Sequence, residues 1–259
     1  MGKPLRSAAV TVALAAGAVV AVAPVGSGAV GSTGIRGESV TSVPREDASP
    51  PLLPLPRPRD FVSTVDHPFL PFVPGTRWVY RENEGGEVQR IVVTVVHRTR
   101  TIEGVEATVV HDVATVEGEV VEDTFDWYAQ DKAGNVWYLG ENTKEYAEDG
   151  SVSTDGSWEA GEHGAAAGIV MPADPVTGRE YRQEYRPGEA EDMARVVDQD
   201  TIVKVPFGFF GHTWLTEETN PLEPRVSELK FYARGIGVVE EDAVSPHAGR
   251  AVLIELERP

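Results

Sequence analysis

The chain has 259 residues, with 41 acidic and 23 basic side chains, no cysteine and a formal net charge of −18. That excess of anions excludes a protein whose task is to hold nucleic-acid phosphates, which takes an excess of cations. The missing thiols exclude disulfide scaffolds, cysteine nucleophiles, iron–sulfur clusters and cysteine-ligated zinc.

Lys3 and Arg6 precede an apolar run from Ala8 to Ala23, and the small-residue stretch Val25-Gly26-Ser27-Gly28-Ala29 follows. A charged start, an apolar middle and a small-residue end are the order of a secretory signal peptide. Ser27 and Ala29 suit the two small positions before a cleavage site. Residues 1–29 are therefore expected to be the signal, cleaved after Ala29, and the mature chain to be secreted or extracytoplasmic. No apolar run reaches the roughly 18 to 20 residues of a spanning helix, and without cysteine no thiol-linked lipid anchor is expected. Cleavage leaves 21 basic against 41 acidic side chains, a net charge of −20. Such a charge repels anionic surfaces.

Residues 30–64 lack periodicity and carry Pro44, Pro50, Pro51, Pro54, Pro56 and Pro58. Closely spaced prolines remove amide donors and favour extended polyproline II, so this stretch reads as a disordered to semi-rigid linker. A docking motif for a proline-recognition module is its functional alternative. Four acidic and four basic residues balance here. The whole excess charge therefore falls on residues 65–259, read as a single β-rich domain.

In that domain His67 to Gly75 alternates prolines with large apolar residues, as an extended strap would. Strand patterns follow at Arg77–Tyr80, Val88–Thr99, Ala107–Val116, Val120–Ala129 and Val136–Leu139, with a turn at Asp131–Asn135. The pattern fails between about residues 147 and 178, then resumes at Tyr181–Tyr185. Near the end Leu229, Phe231 and Ala233 alternate with Glu228, Lys230 and Tyr232, and Val252, Ile254 and Leu256 with Leu253, Glu255 and Glu257. Period-two runs between Gly, Asp, Asn and Pro turns predict a mainly β fold. The expected form is an antiparallel curved sheet or half-barrel with a long irregular cover segment; a closed barrel or β-sandwich is the alternative.

The phrases Trp127-Tyr128-Ala129-Gln130-Asp131, Gly134-Asn135-Val136-Trp137-Tyr138, Gly156-Ser157-Trp158-Glu159-Ala160-Gly161 and Ile169-Val170-Met171-Pro172-Ala173 resemble a group of uncharacterised exported bacterial β-domain proteins. The phrase from Tyr232 to Val239 is distantly similar to exported domains related to lipoprotein-carrier half-barrels. That resemblance implies a sheet curled around an apolar cavity for acyl chains. It implies no catalytic residue.

Two constellations suggest metal chemistry. His97 and His111 flank the Glu103-Gly104 turn. A three-residue loop at 103–105 sets them opposite each other, about 5 Å apart, where they could share a transition metal. A two-residue loop places them on opposite faces. The run from Ser151 to Glu162 partly follows the twelve-residue calcium-loop spacing, with Ser153, Asp155, Glu159 and Glu162 at oxygen positions and Gly156 at the turn. Its first position is serine and its flanks lack helical periodicity, so an acidic surface loop is the alternative. Separately, Phe207 to Trp214 combines three phenylalanines with two glycines. It reads as a core anchor; exposed, it would be an aromatic lip that marks an interaction surface.

No Gly-x-Ser-x-Gly elbow is present and no catalytic residue is assigned. The expected function is a non-enzymatic exported binding module for an apolar or lipid-like ligand, held between the sheet and the 147–178 segment. The alternatives are a structural or adhesion module of the cell exterior, with a cell-envelope component as partner, and a calcium-stabilised domain or secreted hydrolase. No cofactor is expected, with calcium as the alternative, and nucleic acid is not an expected partner.

Overall fold

The computed structural model describes residues 49–244 and 249–259, together with a short ladder of Thr11–Val12 (β1) on Val19–Val20 (β2). The expected cleavage site lies outside the described residues. Past it, β-branched and aromatic side chains on a period of two form strands almost without interruption, as these residues favour a pleated, half-buried surface. Val65–His67 (β3) and Leu70–Phe72 (β4) make a hairpin. Arg77–Glu84 (β5), Glu87–Ile102 (β6), Val105–Val116 (β7), Glu119–Gln130 (β8) and Val136–Asn142 (β9) then run as a meander.

The stretch 147–178, irregular in sequence, holds turns and short strands. Glu145–Tyr146 (β10) pairs with Val152–Ser153 (β11), and Trp158–Glu159 (β12) lies on β9. Ala166–Met171 (β13) joins the same edge of β9, away from β8, as a full member of the sheet. Glu180–Arg182 (β14) and Glu184–Tyr185 (β15) follow. A second meander completes the chain: Met193–Val205 (β16), Gly208–Thr219 (β17), Ser227–Ala233 (β18), Gly237–Val244 (β19) and Gly249–Glu257 (β20).

The strand order is β14-β16-β17-β18-β19-β20-β5-β6-β7-β8-β9-β13-β15, with antiparallel neighbours. The last strand, β20, therefore lies beside β5 and joins the two meanders. The two ends of the order, β14 and β15, are separated in the chain only by Gln183. The sheet thus curls until its edges meet, a barrel nearly closed but with one unsealed seam between β13 and β14. This is the mainly antiparallel β fold expected, at the closed end of the range from curved sheet to barrel.

Two glycines let backbones meet at this closure. A Cβ on Gly168 of β13 would lie 2.5 Å from the Gln183 carbonyl group, so only glycine fits where the chain crosses the seam. Gly140 of β9 has φ +134°, and a Cβ there would lie 2.3 Å from the Trp158 carbonyl oxygen. The β3–β4 hairpin covers the apolar part of the interior. Phe72 packs on Tyr128 at 4.7 Å between ring centres, and Asp66 and Gln130 exchange two hydrogen bonds of 2.9 and 2.7 Å. Residues 49–64 lie along the sheet. The Val62 amide donates to the Gln130 carbonyl at 2.9 Å, the Lys132 amide to the Asp60 carbonyl at 2.8 Å, and Arg182 Nε to the Pro50 carbonyl at 3.1 Å.

Gly140→Ala is expected to destabilise the barrel by about 2–4 kcal/mol, through backbone strain plus the contact with β12. Urea unfolding of the two proteins measures this; an unchanged midpoint would contradict it.

Candidate functional site

Strand alternation decides which side chains enter the barrel. In β18 Glu228, Lys230 and Tyr232 are buried on one face, while Leu229 and Phe231 sit on the half-buried outer face. The same inversion occurs in β8: Glu122, Thr124, Asp126 and Tyr128 are buried on one face, with Phe125 and Trp127 on the other. Outside, the Arg98 and Arg100 guanidinium groups lie over the Phe125 and Trp127 rings at 4.6 and 4.2 Å. Cation–π contact and the arginine stems cover this apolar outer surface.

Among the described residues, ten carboxyl groups share the interior. They are Glu82 of β5, Asp112 of β7, Glu122 and Asp126 of β8, Glu141 of β9, Glu184 of β15, Asp192 ahead of β16, Glu218 of β17, Glu228 of β18 and Glu241 of β19, none more than 6% exposed. Lys230 is the only buried lysine or arginine among the described residues. Its Nζ lies 2.8 Å from Glu218 and 3.7 Å from both Glu228 and Glu241. The cross-strand register builds this cluster, with Lys230 directly opposite Thr216 on one side and Glu241 on the other.

One ammonium cannot neutralise ten carboxylates, and an uncompensated buried charge is too costly to keep. Most of these carboxyls therefore hold their protons. Burial, then repulsion from Glu84, Glu228 and Glu122, pushes Glu82 up to about 8. Burial pushes Asp126 up to about 7, against the hydrogen bond from the Tyr138 hydroxyl that favours its charged form. Asp112, Glu141, Glu184, Asp192 and Glu241 rise well above the ordinary carboxylate range, in each case chiefly through burial. For Lys230 burial acts downward, but Glu218, Glu241 and Glu228 outweigh it and hold the ammonium charged. Tyrosines complete the polar interior. Tyr138 donates to Asp126 at 2.7 Å, Tyr232 to Glu218 at 3.3 Å and Tyr80 to the Val238 carbonyl at 2.9 Å.

The seam is chemically different. A recess of about 310 Å³ opens there, walled by Pro50, Leu53, Ile169, Pro172, Val176 and Tyr181. Arg182 stands beside it, with its guanidinium over the Tyr185 ring at 4.8 Å and Nε bonded to Pro50. The buried Nη1 of Arg182 has no hydrogen-bond partner. Leu53 and Val176 keep about half of their surface in solvent, at 49% and 59%.

The residues singled out in the sequence are dispersed. His97 and His111 are not opposite each other. The Glu103-Gly104 turn has a two-residue loop, and β6 then bulges between Val95 and Thr99, so His111 faces Thr94 and His97 sits within the bulge. His97 lies beside Gly75, whereas His111 stacks on Phe125 at 4.1 Å and bonds Asp123 at 2.8 Å. The expected calcium spacing is split between two turns. The Asp155 amide bonds the Ser153 hydroxyl at 3.0 Å, while Glu159 belongs to β12 and pairs with Arg100. Glu162 lies in the next turn, where its carbonyl accepts from the Ala165 amide at 2.8 Å. Of the three phenylalanines in the 207–214 run, Phe210 packs on the core while Phe207 and Phe209 are exposed. Sequence reasoning missed the acidic interior, because an acid alternating with apolar residues reads as the solvent face.

No family model matches the chain, and neither does any curated protein. Two solved structures are similar at low level, each at 14% identity. One, from Bacteroides fragilis, is provisionally described as an exported protein with a YmcC-like fold; the match covers 73% of this chain and 99% of that one, at a TM-score of 0.41. The other, from Parabacteroides distasonis, is provisionally described as a lipoprotein; it covers 73% and 98%, at 0.39.

Two outcomes follow from the interior. Raised carboxyl pKa values mean that the folded chain binds more protons than the unfolded one above about pH 4. Stability should therefore be greatest below about pH 4 and fall from there until the pH reaches about 7 and 8, above which Asp126 and Glu82 are ionised in the folded chain as well and the fall levels off. Glu82→Gln, which cannot ionise, should flatten the upper part of that fall; urea midpoints across the range read it. Lys230→Met should cost about 3–5 kcal/mol at neutral pH by removing the one ammonium from among Glu218, Glu228 and Glu241. The loss should shrink in acid, and calorimetry at two pH values checks it.

Proposed function

We propose that the protein is an exported, non-enzymatic binding barrel that holds an apolar ligand in the recess at its seam. One observation carries this reading: the unsealed edge is lined largely by apolar side chains around about 310 Å³, beside an unpartnered donor, Arg182 Nη1. Small-ligand sites have this composition, with apolar walls and few polar groups, and volumes from about 300 Å³ upward. The ligand that fits is a compact apolar body with one acceptor oxygen for Arg182. The acid-lined interior offers such a molecule a less apolar surface. Export rests on the charged, apolar and small-residue order of residues 1–29.

Titration with a naphthylamine dye that fluoresces in apolar surroundings tests the site. Saturable one-to-one binding is expected, weakened about tenfold by Leu53→Asp with Val176→Asp, since each removes an apolar wall. Both positions are exposed, so the fold should be unaffected. Absence of saturable binding, or equal affinity in the double variant, would count against the proposal.

A further inference from the structure

The outer end of the β16–β17 hairpin is apolar, aromatic and unlike the rest of the surface. Beyond the Thr201–Thr213 pair, Val203 faces Phe210, Lys204 faces Phe209 and Val205 faces Gly208. Val203 and Val205 are buried and Phe210 packs on the core, so one face of the hairpin is anchored. The other face has no cover. Ile202 and Phe209 are each 67% exposed, and Phe207 at the turn is 39% exposed. Exposed apolar side chains grouped in this way on a rigid element mark a contact surface.

The charge pattern selects the partner. The chain has 41 acidic residues, yet none falls between Thr201 and Thr216. Acids resume behind this stretch, where Asp200 bonds His212. Within the tip, Lys204 stands directly across from Phe209, so an ammonium and an exposed ring share one rung of the ladder. We infer that this tip is a membrane-contact device, inserting Ile202, Phe207 and Phe209 into the headgroup boundary of a zwitterionic bilayer while Lys204 meets a lipid phosphate. Aromatic rings settle at that boundary, and a lysine stem lets its charge reach the headgroups. The acidic remainder of the chain opposes an anionic bilayer, which is why the zwitterionic surface is the occupant. The contact is shallow: the hairpin tip enters the interface and spans nothing.

Co-sedimentation of the full chain with phosphatidylcholine vesicles tests the inference, against the same chain carrying Ile202→Ser and Phe209→Ser. Both chains keep the apolar run at residues 8–23, so their difference reports the tip alone. The double variant should bind about tenfold more weakly, from the loss of two inserted apolar side chains. In a second arm Phe209→Trp should be quenched by brominated phosphatidylcholine, whereas the native Trp214, stacked on Phe69 at 4.0 Å, should not. Equal sedimentation of wild type and double variant, or an unquenched Trp at position 209, would overturn it. So would a dimer that the double substitution dissolves without any change in vesicle binding, because the tip would then be a contact between copies of the chain. Dye binding at the seam is unaffected by these substitutions, so failure here leaves the seam reading standing.

Discussion

Ten carboxyl groups enclosed with one ammonium set the terms on which this barrel exists. Water would solvate those acids, and the interior does not. The least costly solution is to keep most of them protonated and to fix the remaining negative charge beside Lys230. Protonated carboxyls are donors as well as acceptors, so they can satisfy one another and the buried tyrosines. The formal charge of −18 therefore overstates the charge the folded molecule carries near neutrality. Part of the acid content is a neutral, hydrogen-bonding lining.

The sheet gives this lining its place. The longer strands that contribute an acid also contribute aromatic or β-branched residues to the same inward face, as Trp78, Tyr80 and Glu82 do in β5. The β3–β4 hairpin covers the apolar portion through Phe72. Near the acids Lys230 is held by three strands at once, β17, β18 and β19, through Glu218, Glu228 and Glu241. Closure leaves one edge unsealed, where Gly168 and Gln183 meet, and the apolar seam recess opens there. A polar interior and an apolar external seam separate the part that sets stability from the part proposed to bind.

Strands were legible in the sequence because period two survives whichever face is buried. Ser227–Ala233 and Gly249–Glu257 both show it plainly. Which face points inward was not legible. Leu229 and Phe231 look like core and Glu228 and Lys230 like surface, but the structure reverses them. Arginines that cover outer aromatics, such as Arg100 on Trp127, make the reversal tolerable, and they lie more than twenty residues away in sequence. Of the two loop lengths the sequence left open for the His97–His111 turn, the two-residue one forms, which already takes the histidines out of register, and the bulge between Val95 and Thr99 moves them further apart. β13 was hidden because Ala166-Ala167-Gly168 carries no strand signature, and its small residues answer to a close backbone at the seam.

The central claim is that the interior acids are protonated in the folded state at neutral pH. A carbon-13 NMR titration of the aspartate and glutamate carboxyl carbons measures this directly. The account predicts a set of carboxyls still protonated at pH 7, with Asp126 titrating near 7 and Glu82 near 8. Titration of every carboxyl near the ordinary value of about 4 would contradict it.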